Sequence, residues 1–170
     1  MTAGKRVIFL QHGLTDSSDT WIVNDEHLAP AFYYANQGFD VWVGNSRGNR
    51  YSNAKLSTNT LNFWEFSFNE MAKFDLPAAF RYINRITNKK IHYVGHSQGT
   101  LIMFIALATK QKDVEDNIAS FNAFGPVAYL QHQKSKMLQL VSKTRLVNAL
   151  HVHMIQCRLS KLNGCLWRTM

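Results

Sequence analysis

The chain has 170 residues, of which 46% are hydrophobic and 18% are charged, with only three prolines. This length predicts a single domain with a substantial core, and the composition excludes an intrinsically disordered or low-complexity chain. The formal net charge of +8 is unevenly placed, because residues 128–170 contain seven Lys or Arg and no acid, whereas residues 1–127 are nearly neutral. The positive charge therefore belongs to the end of the chain and says little about its body.

Short apolar runs alternate with helical patterns along the first 125 residues. Strands are predicted at 6–10, 40–43, 90–94 and 118–124. Helices are predicted at 25–37, 62–71, 75–86 and 100–110. Asp75 and Pro77 suit the start of the third helix, because Asp caps free amide groups and proline is tolerated in the first turn.

Strands separated by helices predict an α/β fold, a mostly parallel sheet of about four strands with helices on both faces. The alternation ends after Pro126. We therefore predict a body of residues 1–127 and a basic tail of residues 128–170, interpreted as the start of a lid region. The longest apolar run, 101–108, is too short to span a membrane, and no signal peptide is recognised at the start.

The pentapeptide Gly95-His96-Ser97-Gln98-Gly99 directly follows a predicted strand and directly opens a predicted helix. G-x-S-x-G alone is common, but in this position it is typical of a nucleophile elbow, a sharp turn that exposes a serine at the sheet edge. Glycines are needed because side chains there would collide with the strand and the helix. The sequence predicts Ser97 as a nucleophile above the partly positive amino terminus of a helix.

A second motif, Gln11-His12-Gly13-Leu14, closes the first predicted strand. Acyl transfer needs two backbone N–H groups aimed at the oxyanion, one from the residue after the nucleophile and one from a loop after an earlier strand. We predict that Gln98 and Leu14 supply these amides. The alternative for this motif is a plain strand-ending turn.

Three nearby polar residues are predicted to be structural. His12 precedes the glycine of the oxyanion loop and His96 adjoins Ser97 in a tight turn, so neither is expected to be the catalytic base. Arg47 follows the second strand and is expected to lock a turn, although a contact with a ligand stays open.

Four long motifs occur in order at 9–21, 38–49, 63–78 and 92–100. Together they resemble the gastric and lysosomal acid lipases over roughly residues 4–130. The resemblance implies a partial α/β-hydrolase fold and cleavage of neutral lipid esters, such as triacylglycerols or cholesteryl esters, at a lipid–water interface. It implies Ser97 as the nucleophile of an acyl-enzyme, Leu14 and Gln98 as oxyanion amides, and no cofactor or metal.

A base and an orienting acid are also needed, and in this fold they follow the nucleophile along the chain. The later acids are Asp113, Glu115 and Asp116, and the later histidines are His132, His151 and His153. A formal serine–acid–histidine order can be written, but the acids precede the fourth strand. We therefore expect the catalytic acid and histidine to be absent from this chain, and the isolated 170 residues to show no measurable lipase activity.

Two functions remain open. The first is a serine ester hydrolase of the acid lipase type. The alternative is an inactive, truncated lipase-like protein whose basic tail binds lipid surfaces or a partner. Nucleic-acid binding is not expected, and Cys157 and Cys165, spaced C-x₇-C, are interpreted as incidental thiols and not as a zinc site. The resemblance implies a secretory, lysosomal or extracellular compartment.

Overall fold

The computed structural model describes residues 4–52, 63, 65–130, 134 and 136. Those within 4–52 and 66–128 belong to one compact unit, and the remaining six belong to a second. Most of the predicted basic tail lies outside the described residues, as do its two cysteines and its three histidines. The predicted boundary at residue 127 therefore stays a prediction.

Four parallel strands form the sheet. They are β1 (Val7–Gln11), β2 (Asp40–Val43), β3 (Ile91–His96) and β4 (Ile118–Phe124), in the order β2-β1-β3-β4. This confirms the predicted parallel sheet, and the strand bounds agree with the prediction to within two residues. Because all four strands run the same way, the loops that follow them meet at one edge, called here the carboxyl edge.

The helices of the described segments lie between the strands. They are α1 (Pro30–Asn36), α2 (Phe68–Glu70), α3 (Leu76–Thr87), α4 (Gln98–Ala108) and α5 (Lys112–Glu115), with a π-helix at Met71–Asp75. The short α5 is a helix that the sequence pattern did not predict. The first predicted helix begins five residues too early, because residues 25–28 form turns before Pro30.

The helix predicted from Asp75 is present as α3, which begins one residue later, but the predicted capping by Asp75 is wrong. Helical backbone runs without a break from Phe68 to Thr87, and Asp75 has helical dihedral angles and makes no capping hydrogen bond. The helix begins instead at Ser67, whose side chain and that of Glu70 form a reciprocal capping box. Pro77 lies one residue after the π-helical turn, separated from it by Leu76, and as a proline it has no N–H to donate within the helix.

Apolar side chains cover both faces of the sheet. On one face, Phe9, Phe80 and Tyr93 are buried, with ring centroids 5.6–6.2 Å apart. On the other, the buried cluster includes Leu10 and Val94. β1 is buried at all five residues because it has neighbours on both sides and both faces. The predicted arrangement of helices on both faces is thus confirmed, and the central strands form a firm base for the loops at the carboxyl edge.

Among the residues that the structure describes, no helix combines the length and apolar character that crossing a membrane requires.

Candidate active site

Ser97 occupies the sharp turn between β3 and α4. Its backbone has φ 51° and ψ −112°, a conformation that costs a non-glycine residue about 1–3 kcal/mol. Its N–H donates to the carbonyl of Phe124 over 2.9 Å, and its carbonyl accepts from Thr100 Oγ1 over 2.6 Å. Thr100 Oγ1 also accepts from the N–H of Val127 over 2.9 Å. The strained serine is therefore held by hydrogen bonds to β4 and α4, and Val127 holds the Thr100 side chain in turn.

The glycines of this turn leave no room for a side chain. A Cβ atom on Gly95 would lie 2.7 Å from the carbonyl carbon of Gly99. A Cβ atom on Gly99 would lie 2.7 Å from the carbonyl oxygen of Gln11 and 3.0 Å from that of His12. The elbow geometry expected for the G-x-S-x-G motif is therefore present, and close backbone packing of α4 against the end of β1 requires both glycines.

The loop after β1 lies against the serine. A Cβ atom on Gly13 would lie 3.3 Å from Ser97 Cβ and 3.1 Å from His96 Nδ1. Gln98 is the first residue of α4, so its N–H has no partner within the helix. Among the described residues, no acceptor is hydrogen-bonded to the N–H of Leu14 or Gln98. The structure thus brings the loop of Leu14 and the start of α4 together at Ser97.

His12 is buried behind this loop, at 3% exposure. Its Nδ1 lies 2.7 Å from the carbonyl oxygen of Gly13, and its Nε2 lies 3.1 Å from the N–H of Ser46 and 3.2 Å from Asn49 Nδ2. Burial lowers the pKa of His12, which favours the neutral ring. Both ring nitrogens are engaged, so His12 cannot accept a proton from Ser97. This agrees with the loop-orienting role expected for it, and His96, beside Gly13, is exposed.

Arg47 is bound by Asp75. The carboxylate of Asp75 accepts from Arg47 Nη2 over 2.5 Å, from Nε over 2.9 Å and from the backbone N–H over 3.1 Å. The guanidinium also lies 5.7 and 5.8 Å from the ring centroids of Phe66 and Phe74, and its hydrogen bond to Asp75 raises the pKa of Arg47. These contacts support the turn-locking interpretation of Arg47.

Sequence reasoning missed the partners of His12 and Arg47. Ser46 and Asn49 lie in the motif at 38–49, but no local pattern indicates that they face His12, 34 and 37 residues away. The sequence predicts Asp75 as a helix start and does not indicate that it is the partner of Arg47. For His12 and Ser46, the one available signal is that their loops follow β1 and β2, which are neighbouring parallel strands.

The acids after Ser97 do not complete the site. Asp113 forms an ion pair with Arg81, and both Asp113 and Asp116 precede β4, at the edge of the sheet opposite Ser97. In the part of the chain that the structure describes, Ser97 Oγ makes no hydrogen bond to an acid or a histidine. Among the same residues, no group of three His, Cys, Asp or Glu side chains is placed to bind a metal ion. The base and its acid are therefore not provided by the described residues.

Comparison with known proteins gives a consistent picture. The model of the family described as alpha/beta hydrolase fold matches residues 6–148. Human gastric triacylglycerol lipase is 46% identical over 149 residues, which cover 86% of this chain and 36% of the lipase. Human lysosomal acid lipase/cholesteryl ester hydrolase is 45% identical over 139 residues, which cover 80% of this chain and 35% of that protein. The chain thus spans about a third of the length of these curated relatives.

Solved structures share the fold at low identity. The mature lipase BlEst2 of Bacillus licheniformis matches with a TM-score of 0.54 and 18% identity, over 84% of this chain and 47% of that one. An extracellular alpha/beta-hydrolase from a Paenibacillus species matches with a TM-score of 0.55 and 20% identity, over 85% of this chain and 52% of that one. Because the family model matches residues 6–148, the chain belongs to the α/β-hydrolase fold family, and within it is similar to the gastric and lysosomal acid lipases.

Proposed function

We propose that these residues form the nucleophile half of a serine ester hydrolase of the acid lipase type. The observation that carries the proposal is the strained backbone of Ser97, with φ 51°, at a strand-to-helix turn that packs against Gly13. Strain of this kind persists only where the surrounding structure enforces it. This strained turn, which requires two glycines, lowers the stability of the fold. Its presence therefore favours a chemical role for the Ser97 hydroxyl group.

The reaction follows from this geometry. Ser97 Oγ attacks the ester carbonyl carbon and its proton passes to a base. The carbonyl oxygen becomes an oxyanion and accepts hydrogen bonds from the N–H groups of Leu14 and Gln98, each worth about 2.7–4 kcal/mol of transition-state stabilisation. Collapse of the tetrahedral intermediate breaks the bond to the alcohol, which leaves with the proton. Water then gives a proton to the same base and attacks the acyl carbon. The bond to Ser97 Oγ breaks, Oγ takes the proton from the base, and the fatty acid is released.

The base is proposed to be a histidine oriented by an acid, and neither is among the described residues. In this fold both follow the nucleophile in chain order. The relatives bear the names triacylglycerol lipase and cholesteryl ester hydrolase. We extend these substrates, and a site of action at the lipid–water interface in a secretory or lysosomal compartment, to the whole protein as part of the proposal.

Ser97→Ala tests the proposal in the protein expressed from the complete reading frame. Emulsified triacylglycerol and cholesteryl ester are the substrates, and turnover should fall by about 10⁶-fold, as when a triad serine is removed. A fluorophosphonate probe should label the peptide that contains Ser97 in the wild-type protein and leave the variant unlabelled. Esterase activity that persists in Ser97→Ala would refute the assignment.

Ser120→Ala is the matched control. Ser120 Oγ lies 2.8 Å from His92 Nδ1, so it is also paired with a histidine. It lies within the strand β4 and not at a strand-to-helix turn. The control variant should keep wild-type turnover and probe labelling, which separates the effect of the elbow from that of a mere serine–histidine contact.

The alternative function, lipid or partner binding by a basic tail, concerns residues that lie almost entirely outside the described ones and stays a prediction. Flotation with anionic liposomes, using protein with and without residues 128–170, tests it. Equal flotation of the two forms would contradict it.

A further inference from the structure

The side-chain amide of Asn49 presents its NH₂ group to His12. Its Oδ1 accepts hydrogen bonds from the backbone N–H groups of Tyr51 and Ser52, both over 3.0 Å. Because these two donors identify the oxygen, the other atom is Nδ2, which lies 2.7 Å from Asn45 Oδ1 and 3.2 Å from His12 Nε2. The orientation of the amide is therefore fixed by its neighbours.

This orientation fixes the tautomer of His12. Nε2 faces two donors, Asn49 Nδ2 and the N–H of Ser46 at 3.1 Å, so it must keep its lone pair. The single ring proton is then on Nδ1, which lies 2.7 Å from the carbonyl oxygen of Gly13. Within a neutral imidazole one nitrogen donates and the other accepts, and here each does so toward a different loop.

The bond from His12 also orients the next amide. The Gly13 carbonyl and the Leu14 N–H share one peptide plane, and no peptide bond among the described residues is cis. In a trans peptide the N–H points opposite to the C=O. Because the Gly13 carbonyl points toward His12, the Leu14 N–H points away from His12. Gly13 itself packs against Ser97.

Asp75 holds the loop that supplies the donors. Its carboxylate binds both the backbone N–H and the guanidinium of Arg47, the residue that follows Ser46. Asp75 is the last residue of the π-helix, and single π-helical turns within helices are frequent at functional positions. Asp75, Arg47, Ser46, Asn49 and His12 thus form one continuous set of contacts, which we call the oxyanion brace.

We infer that Asp75 and Arg47 are positioning residues for the proposed hydrolysis, acting through His12 on the amide of Leu14. Neither touches the reacting atoms. The inference rests on the proposed function, because it concerns how the N–H of Leu14 is aligned with the oxyanion of that reaction. The inference adds that the π-helix, through the bond of Asp75 to Arg47 in the loop after β2, contributes to transition-state stabilisation.

Asp75→Asn and Asp113→Asn form a matched pair for kinetics in the complete protein. Each replaces the carboxylate of an aspartate–arginine ion pair, but Asp113 pairs with Arg81 away from the site. Loss of a whole oxyanion donor costs about 10²–10³-fold in turnover. A misaligned donor should cost less, so we expect a roughly tenfold fall in kcat with KM nearly unchanged for Asp75→Asn, and wild-type values for Asp113→Asn.

The outcomes separate the two proposals. If the wild type hydrolyses no ester, the proposed function fails and the inference fails with it. If the wild type is active and Asp75→Asn keeps the kcat of Asp113→Asn, the inference alone is wrong. A rise in KM at constant kcat would also overturn it, because alignment of an oxyanion donor acts on the transition state.

Two further measurements apply if Asp75→Asn does not fold. His12→Asn places an amide N–H near the position of Nδ1, whereas His12→Gln places its amide near Nε2, so the first should retain several-fold more kcat. In the unmodified protein, imidazole ¹H–¹⁵N spectra should show His12 protonated at Nδ1 only. Protonation at Nε2, or equal kcat in the two variants, would overturn the inference.

Discussion

The two loops that meet at Ser97 are held in place by different physical means. The β3–α4 elbow is fixed by backbone sterics, with Gly95 and Gly99 in contact with neighbouring backbone and Ser97 at φ 51°. The loop after β1 is fixed by side-chain hydrogen bonds of the oxyanion brace. Steric constraint fails abruptly when an atom is added, whereas a hydrogen-bond network weakens by degrees as single contacts are lost.

The largest effect is expected from Gly99→Ala. The new Cβ would lie 2.7 Å from the backbone oxygen of Gln11, which cannot move without disturbing β1. We expect the free energy of unfolding to fall by about 2–3 kcal/mol and hydrolysis to be lost, measured by urea titration and by ester turnover.

Gly38→Ala is the control for that substitution. Gly38 has φ 83°, but no atom lies within 4 Å of the added Cβ. Only backbone strain of about 1–2 kcal/mol is expected, with turnover unchanged. If the two variants were equally stable, steric contact would not be what fixes the elbow.

A smaller, graded effect is expected from Asn49→Ala. The substitution removes an acceptor for two backbone N–H groups and a donor to His12. We expect a loss of about 1–2 kcal/mol in unfolding free energy and a partial fall in kcat. Asn36→Ala, which removes an exposed contact to Glu26, should change neither. Complete inactivation by Asn49→Ala without unfolding would contradict the graded behaviour of the brace.

The elbow also accepts a side-chain hydrogen bond from a buried tyrosine, and Tyr93→Phe removes it. The buried hydroxyl of Tyr93 donates to the carbonyl of Gly99 over 2.8 Å. Its loss should lower the unfolding free energy by about 1 kcal/mol, read from the denaturation midpoint, with little change in kcat. Tyr82→Phe, at a residue that is 50% exposed, should be neutral. A large fall in kcat for Tyr93→Phe would show that the elbow is less rigid than its sterics indicate.

The smallest effect is expected from pH. Burial lowers the pKa of His12 below 6.5, opposed by its bond to Gly13 and by the charge of Asp16. The unfolded chain therefore takes up a proton near pH 6.5 while the folded chain does not, so stability declines as pH falls from 6.5 toward the lowered value. The slope cannot exceed about 1.4 kcal/mol per pH unit for one proton.

His12→Gln should remove this contribution from the pH dependence of unfolding. The measurement is a series of urea titrations between neutral and mildly acidic pH. An unchanged slope in the variant would indicate that His12 is protonated in the folded protein, and the neutral tautomer of the brace would then be wrong.

The elbow and the strands could be predicted from sequence because their causes are local. Five consecutive residues between a strand and an apolar helix are enough to specify the turn at Ser97, and the buried strand β1 appears in the sequence as the apolar run 7–10. The brace could not be predicted, because its contacts join residues 28 to 37 positions apart. Asp75 and Pro77 suggested a helix start since both suit a first turn, and nothing local distinguishes that from a π-helix followed by proline.

The π-helix at Met71–Asp75 has a consequence for the spacing of this part of the chain. Leu76 N–H donates to Met71 O, five residues back, so the segment holds one residue more than an α-helical turn would. Each residue of an α-helix advances by about 100°. Deleting one residue here would restore an α-helix and rotate α2, together with the capping box at Ser67, by about that angle relative to α3. Among related chains, a one-residue gap in this segment would mark those in which the capping box at Ser67 faces a different direction relative to α3.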